Sequence, residues 1–313
     1  MKAPTDWQAA RLHSARHLSP TVREFILLPD APVQRWTPGS HIQVRLQQGD
    51  GVLERSYSLV GLPDHAQAQG GYRIAVKRAT TSRGGSQAMH ALQDGASLDI
   101  LPPANHFELS FAPPQHLLLA GGIGITPMLG MAQALAARGA DLRMAYAARS
   151  RVEWVYADTL AEVLGDRLQC LSSDQSQRLD LPGLIAALHP HGQLLLCGPL
   201  SLLQAAQVVW SDARRPPELL RFETFGAGAI QAQPFWVELP RHGLRLLVPA
   251  EHTLLRVLGV QGQIDHPDVF LSPSERAAGQ RLCACVSRVC VDAADGDEAV
   301  LVLDSDFRPD PGE

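Results

Sequence analysis

HLLLAGGIGITPMLGMAQALAARG, residues 116 to 139, decides the fold. It opens on an unbroken apolar run, turns on three glycines and continues from a Thr-Pro pair with helical spacing to a terminal glycine. A strand buried on both faces, a glycine turn and a helix account for that order. The uncharged window around it, residues 112 to 137, has the length of a membrane span. Its Gly-Gly, further Gly and Thr-Pro fall near the middle, however, where they would break an isolated helix. Similar units follow: strand DLRMAYAAR at 141–149, helix VEWVYADTLAEVLG at 152–165, buried strand QLLLCGP at 193–199, helix SLLQAAQVVW at 201–210 and a last strand in RFETF at 221–225. Alternating βα units with wholly apolar strands imply a doubly wound parallel sheet covered on both faces.

On the N-terminal side the period changes. VREFILLP, HIQVRLQ, RSYSLVG and YRIAVKR are rich in β-branched and aromatic residues and are separated by Pro, Gly and Asp, which predicts a small antiparallel β-barrel over residues 1–111. One short helix is expected at SQAMHALQDG, with Ser86 as N-cap and Gly95 just past its end. The α/β zone then spans 112–228. After a linker at QAQP, residues 232–313 predict a third module: a hairpin from FWVELPRHG and LRLLVPA, a helix beginning EHTLLRVLG and a last strand in AVLVLDSDF.

The 313 residues suffice for two or three domains, and 45% apolar with 19% charged residues is a globular rather than a disordered composition. A net charge of −5 without a basic run argues against a nucleic-acid binder. The N-terminus has no apolar segment of the secretory type, and Cys170 and Cys197 stand apart from other cysteines, so a cytoplasmic protein with reduced thiols is expected.

Five motifs carry chemistry. Arg55, Tyr57, Ser58 and Leu59, in RSYSL at a strand end, offer a cation, an aromatic face and a hydroxyl suited to a flavin; the bland alternative is a surface strand. Ser82-Arg83-Gly84-Gly85-Ser86, before the short helix, has the make-up of an anion site, or simply of a capped loop. Gly121, Gly122, Gly124, Thr126 and Pro127 would let backbone amides approach a pyrophosphate at the C-terminal edge of the sheet, unless the glycines merely serve packing. Cys197, Gly198 and Pro199 end the next buried strand, again where such a sheet binds ligands, although a lone strand cysteine is ordinarily core. RFETF closes the zone, with Phe222 and Phe225 most simply core and an aromatic there also able to cap a flavin.

In this order the motifs resemble the ferredoxin–NADP reductase superfamily, and within it the phthalate dioxygenase reductase group that includes vanillate O-demethylase reductases. The resemblance covers essentially the whole chain. It implies an FMN-binding barrel, an NADH-binding α/β domain and a ferredoxin-like domain with a 2Fe-2S cluster, passing electrons to a Rieske-type oxygenase or a separate ferredoxin. Carried over by position, it implies that Arg55, Gly85 and Ser86 meet the FMN phosphate. Tyr57 would pack on the isoalloxazine, Ser58 would lie near its N5, and Val76 and Lys77 would line the ring edge through their backbone. Gly122, Thr126 and Pro127 would hold the dinucleotide, with Cys197 near the nicotinamide and Phe225 on the flavin. Arg149 and Arg151 fall where the adenosine ribose is read; two arginines there leave NADPH open beside NADH.

The chain departs from that pattern near its end. A plant-type cluster needs thiolates in C-x₄-C-x₂-C…C spacing. The fourth ligand position is present at Cys285 in CVSR, but no cysteine occurs between Cys197 and Cys283. Cys283, Cys290, His252 and His266 do not rebuild a four-ligand set at a metal-binding spacing. The third module is therefore expected to be a truncated β-grasp fold, and the protein an NAD(P)H-dependent FMN oxidoreductase without its own cluster. The alternatives are a complete reductase with unusual cluster ligation, a stand-alone diaphorase, or a non-catalytic remnant; the intact RSYSL and GGIGITP speak against the last.

Overall fold

The computed structural model describes residues 6–48, 51–64, 70–79, 84–225, 235–240, 243–248 and 300–302. The chain divides into two compact units, residues 1–225 and 226–313.

In the first unit, strands β1 (Gln8–His17), β2 (Val22–Pro29), β3 (Ser40–Gln48), β4 (Gly51–Ser58), β5 (Tyr72–Lys77), β6 (Ser97–Ile100) and β7 (Ala104–Asn105) make one antiparallel sheet in the order β4-β3-β6-β1-β2-β5, with β7 on β3. Its two ends meet where Leu59 bridges Ile74 and the Val60 amide donates to the Arg73 carbonyl, 2.9 Å away. That closure removes the open edge such a sheet would otherwise present. Inside lie Leu12, Phe25, Leu27, Ile42, Val44, Tyr72 and Ile74, supplied by the inward half of each alternating strand, with Met89 of the short helix Gly85–Ala91 beside them.

The second sheet is parallel, in the order β10-β9-β8-β11-β12, from β8 (His116–Gly121), β9 (Leu142–Ala148), β10 (Leu168–Ser172), β11 (Gln193–Gly198) and β12 (Leu220–Thr224). Every residue of β8 and β11 is buried, as the unbroken apolar runs predicted. Helices fully within the described residues of this unit are α1 (Gly85–Ala91), α2 (Ile125–Ala137), α3 (Ala157–Leu164), α4 (Leu181–Ala186) and α5 (Leu200–Asp212).

Helix α2 explains the stretch that had the length of a membrane span. Ile125, Met128, Leu129, Met131, Ala132 and Leu135 pack in one cluster with Leu118 and Met144 of the parallel sheet and with Val22, Val60 and Ala75 of the barrel. The helix is apolar nearly all round because it is covered from two sides. Among the described residues no helix is long and apolar enough to cross a membrane. At Gly130 the helix approaches the barrel so closely that a Cβ would lie 2.1 Å from the Gly61 carbonyl oxygen.

Three sequence expectations are corrected. Ser86 does not cap α1: Gly84, at φ 92°, holds that position, and the Ser86 hydroxyl accepts from the Ala79 amide at 3.1 Å. The same helix ends at Ala91 and Leu92, short of Gly95, which instead takes φ +85° in the following turn. VEWVYADTLAEVLG is not one helix; a 3₁₀ turn at Arg151–Glu153 and a left-handed Tyr156 at φ 62° precede α3.

In the second unit β13 (Phe235–Leu239) pairs antiparallel with β14 (Leu244–Val248) and parallel with β15 (Val300–Val302). The expected hairpin and last strand are thus present. The helix expected from residue 251 and the cysteines at 283, 285 and 290 lie outside the described residues.

Gly130→Ala tests the joint between the two sheets. Alanine should favour an isolated helix by about 1 kcal/mol, yet the clash with Gly61 predicts a net loss of roughly 1–3 kcal/mol. Denaturant unfolding of the variant beside wild type measures it, and an unchanged or raised midpoint would show that the joint is loose.

Candidate functional site

In a doubly wound sheet ligands settle where the strand order reverses. Here that point lies between β8 and β11, neighbours in the sheet with connections leaving in opposite directions. The 121–124 turn and Cys197, Gly198 and Pro199 meet there. A Cβ on Gly124 would lie 2.1 Å from the Cys197 carbonyl oxygen, and one on Gly121 would lie 2.7 Å from Pro199 Cδ. These two glycines let the two turns touch. Gly122 differs: at φ +56° it has open space where a Cβ would stand, the approach a pyrophosphate needs. Thr126 is buried in the first turn of α2, where its hydroxyl donates to the Ile123 carbonyl at 3.0 Å, and Pro127 is buried beside it.

Cys197 is fully buried. Burial, and secondarily the nearby Glu223 carboxylate, push its thiol well above the ordinary range. Glu223 stands opposite Cys197 in the β11–β12 register. Its Oε2 accepts a hydrogen bond from the buried Ser58 hydroxyl at 3.2 Å. A residue of the barrel and one of the parallel sheet therefore converge on one carboxylate. Glu223 lay inside RFETF without an assigned role. Strand alternation, which sets it on the face opposite Phe222, was the signal available. Phe222 packs on the helix side as expected. Phe225 corrects the simple core expectation, being 38% exposed at the end of the strand.

On the barrel, Arg55 runs along α1, so that a Cβ on Gly85 would lie 2.6 Å from its Nε. That contact brings RSYSL and the glycine pair together; Ser82 and Arg83 lie outside the described residues. Arg55 also donates to the Glu54 carbonyl at 2.7 Å. Tyr57 packs against the barrel core, and burial pushes its phenol up to about 12. Leu59 and Val76 are buried. Lys77, partly exposed at the end of β5, pairs with Glu153 at 3.3 Å. Arg149 and Arg151 are exposed beyond β9. The Arg149 carbonyl accepts from the Asp174 amide at 2.9 Å, and the Arg151 guanidinium lies 5.7 Å from the Trp154 ring centre. Among the described residues no group of His, Cys, Asp or Glu is gathered as a metal site would require.

No protein-family model matches the chain. Individual proteins do. The chain is 38% identical over 304 residues to the heme-dependent oxidative N-demethylase beta subunit of Ectopseudomonas mendocina (strain ymp), covering 90% of this chain and 95% of that one. It is 34% identical over 302 residues to the vanillate O-demethylase oxidoreductase of Pseudomonas sp. (strain HR199 / DSM 7063), covering 85% and 89%. Among solved structures, phthalate dioxygenase reductase, described as a modular structure for electron transfer from pyridine nucleotides to 2Fe-2S, superposes with a TM-score of 0.70 at 27% identity, covering 96% of this chain and 98% of that one.

One histidine at the site should shape stability. His41 pairs with Ser58 across β3 and β4, and its buried Nδ1 has no hydrogen-bond partner among the described residues. Burial, and then His106 with ring centres 5.3 Å apart, lower its pKa from 6.5 to about 4. The unfolded chain therefore binds this proton more readily, so stability falls as the pH drops from 6.5 towards 4 and recovers above 6.5. Denaturant midpoints across that window should slope upward with pH in wild type and less steeply in His41→Gln; equal slopes would remove His41 from the account.

Proposed function

The chain belongs to the phthalate dioxygenase reductase and vanillate O-demethylase oxidoreductase family of the ferredoxin–NADP reductase superfamily, and from that premise we propose that it is the reductase component of an oxygenase or demethylase system, with NADH as donor and FMN as its flavin. Its class is plain: an electron-transfer flavin oxidoreductase dependent on a nicotinamide cofactor. A bound flavin supplies the two-electron to one-electron conversion such a reductase needs.

The residues fit that group. Arg55 lying along Gly85 offers a cation beside freed backbone at the start of α1, the make-up of a phosphate site. Ser86, with its hydroxyl turned back to Ala79, would join through its backbone. Tyr57 offers a ring face and a phenol that stays protonated, while the backbone of Val76 and Lys77 would border the isoalloxazine. Across the crevice, Gly122 admits the dinucleotide phosphates, with Thr126 and Pro127 shaping the turn behind it. Phe225 is an exposed ring able to cover the flavin until the nicotinamide displaces it.

The observation that carries the proposal is the meeting of Ser58, Glu223 and Cys197 at the switch point. Glu223 holds the Ser58 hydroxyl by accepting its hydrogen bond. Cys197 stays protonated and closes the floor of the crevice. In our reading these three position the reacting ring edges and keep water away from them.

We further propose that the protein works in the cytoplasm and carries no cluster of its own, since three of the four thiolate positions of the plant-type spacing are missing. Electrons would then leave for an acceptor protein such as a Rieske-type oxygenase or a separate ferredoxin. Purified protein should release one FMN per chain on heating and hold iron and acid-labile sulfide well below stoichiometry. About two of each per chain would establish the complete reductase instead. In rapid mixing NADH should bleach the flavin faster than NADPH. Ser58→Ala should slow that bleaching about tenfold, the worth of one hydrogen bond lost. An unchanged rate would take Ser58 and Glu223 out of the mechanism.

A further inference from the structure

We propose that residues 151–156 form a strut that fixes the distance between the nucleotide sheet and the flavin barrel, with Glu153 and Tyr156 as positioning residues for hydride transfer. The proposal rests on the flavin reductase reading given above, and neither residue belongs to the motifs that supply that reading.

The strut is held by two carboxylates that cross between the sheets in opposite directions. Glu153, on the α/β side, accepts from the Thr21 hydroxyl at 2.7 and 2.9 Å and pairs with Lys77 Nζ at 3.3 Å, both on the barrel side. Glu24, on barrel strand β2 and 3% exposed, accepts from the Tyr156 phenol at 2.8 Å. On its own side Glu24 holds Arg16 Nε at 2.7 Å and has Arg73 Nε at 4.0 Å. Behind the turn, the Tyr146 phenol donates to the Glu153 carbonyl at 3.1 Å, and Val155 packs in the same apolar cluster as Val22.

Each carboxylate is largely removed from water, so each needs its partner on the opposite sheet. A change of spacing of about an ångström would strip both pairs together, because hydrogen bonds lose their geometry over that range. The turn is shaped for these partners: Tyr156 carries a side chain at φ 62°, a conformation kept only where surroundings compel it. It also lies between the two ligand regions, with Lys77 next to the Val76 edge of the barrel and Arg151 beside the expected ribose position. Gly130 of α2 against Gly61, and Ser58 on Glu223, already join the barrel to the parallel sheet; the strut adds a further point of attachment, and each added point resists rocking. Reacting atoms must approach within about 3–3.5 Å, and a misplacement near 1 Å can lower a rate about a hundredfold.

The test uses the flavin-loaded full chain and its apoprotein. Thr21→Val, Glu153→Gln and Tyr156→Phe should keep flavin content and NADH affinity within about twofold of wild type. The rate constant of flavin reduction should fall about tenfold or more, and the long-wavelength absorbance of a stacked nicotinamide–flavin pair should weaken. Thr21→Ser, which keeps the hydroxyl, should restore both. In the apoprotein, amide exchange at residues 19–24 and 151–160 should quicken in the same variants, and the Thr21→Val and Glu153→Gln effects on it should be non-additive. Unchanged reduction rate and absorbance in Glu153→Gln and Tyr156→Phe, or additive exchange effects, would overturn the strut. If a variant does not fold, Thr21→Ser against Thr21→Val decides. A wild type that binds no flavin or is not reduced by NADH would instead overturn the functional reading, with the apoprotein exchange still judging the strut.

Discussion

The structure of residues 1–225 depends on burying helix α2 from two sides. One side lies on the parallel sheet, and Gly130 brings the other against the Gly61 carbonyl of the barrel. Apolar area removed from water on both faces joins the sheet and the barrel in one compact unit. Everything placed between them inherits that geometry. Ser58 ends a barrel strand and Glu223 lies on the last strand of the other sheet, yet their side chains meet at 3.2 Å. That meeting is made by this joint rather than by any one motif.

Much of this was legible because the signals are local. The apolar runs of β8 and β11 require cover on both faces, and the glycines after β8 mark a turn and a close approach at once. RSYSL and GGIGITP could each be placed at a strand end from their own neighbours. What escaped depends on residues far apart in the chain. Glu223 matters because Ser58, 165 positions away, reaches it. Tyr156 reads as an ordinary helical residue in VEWVYADTLAEVLG, and only its bond to Glu24 explains its left-handed backbone. Ser86 looked like an N-cap because serine favours that position; glycine at 84, free to take φ 92°, fills it instead.

The glycines divide by role in a way their spacing conceals. Gly121 and Gly124 are small because Pro199 and the Cys197 carbonyl stand against them, and Gly122 is small facing open space. The first two hold β8 and β11 at the separation that makes a crevice, and the third leaves it unobstructed. A motif that reads as one phosphate loop is two packing positions and one vacancy.

The burial of Cys197 has a chemical consequence of its own. Peroxide and alkylating agents attack thiolates far faster than thiols, and burial with a carboxylate opposite keeps this sulfur protonated. A cysteine at the switch point of the sheet is thereby passivated: it contributes a soft, polarizable surface and resists oxidation. Burial does most of this, and the carboxylate that accepts from Ser58 adds to it.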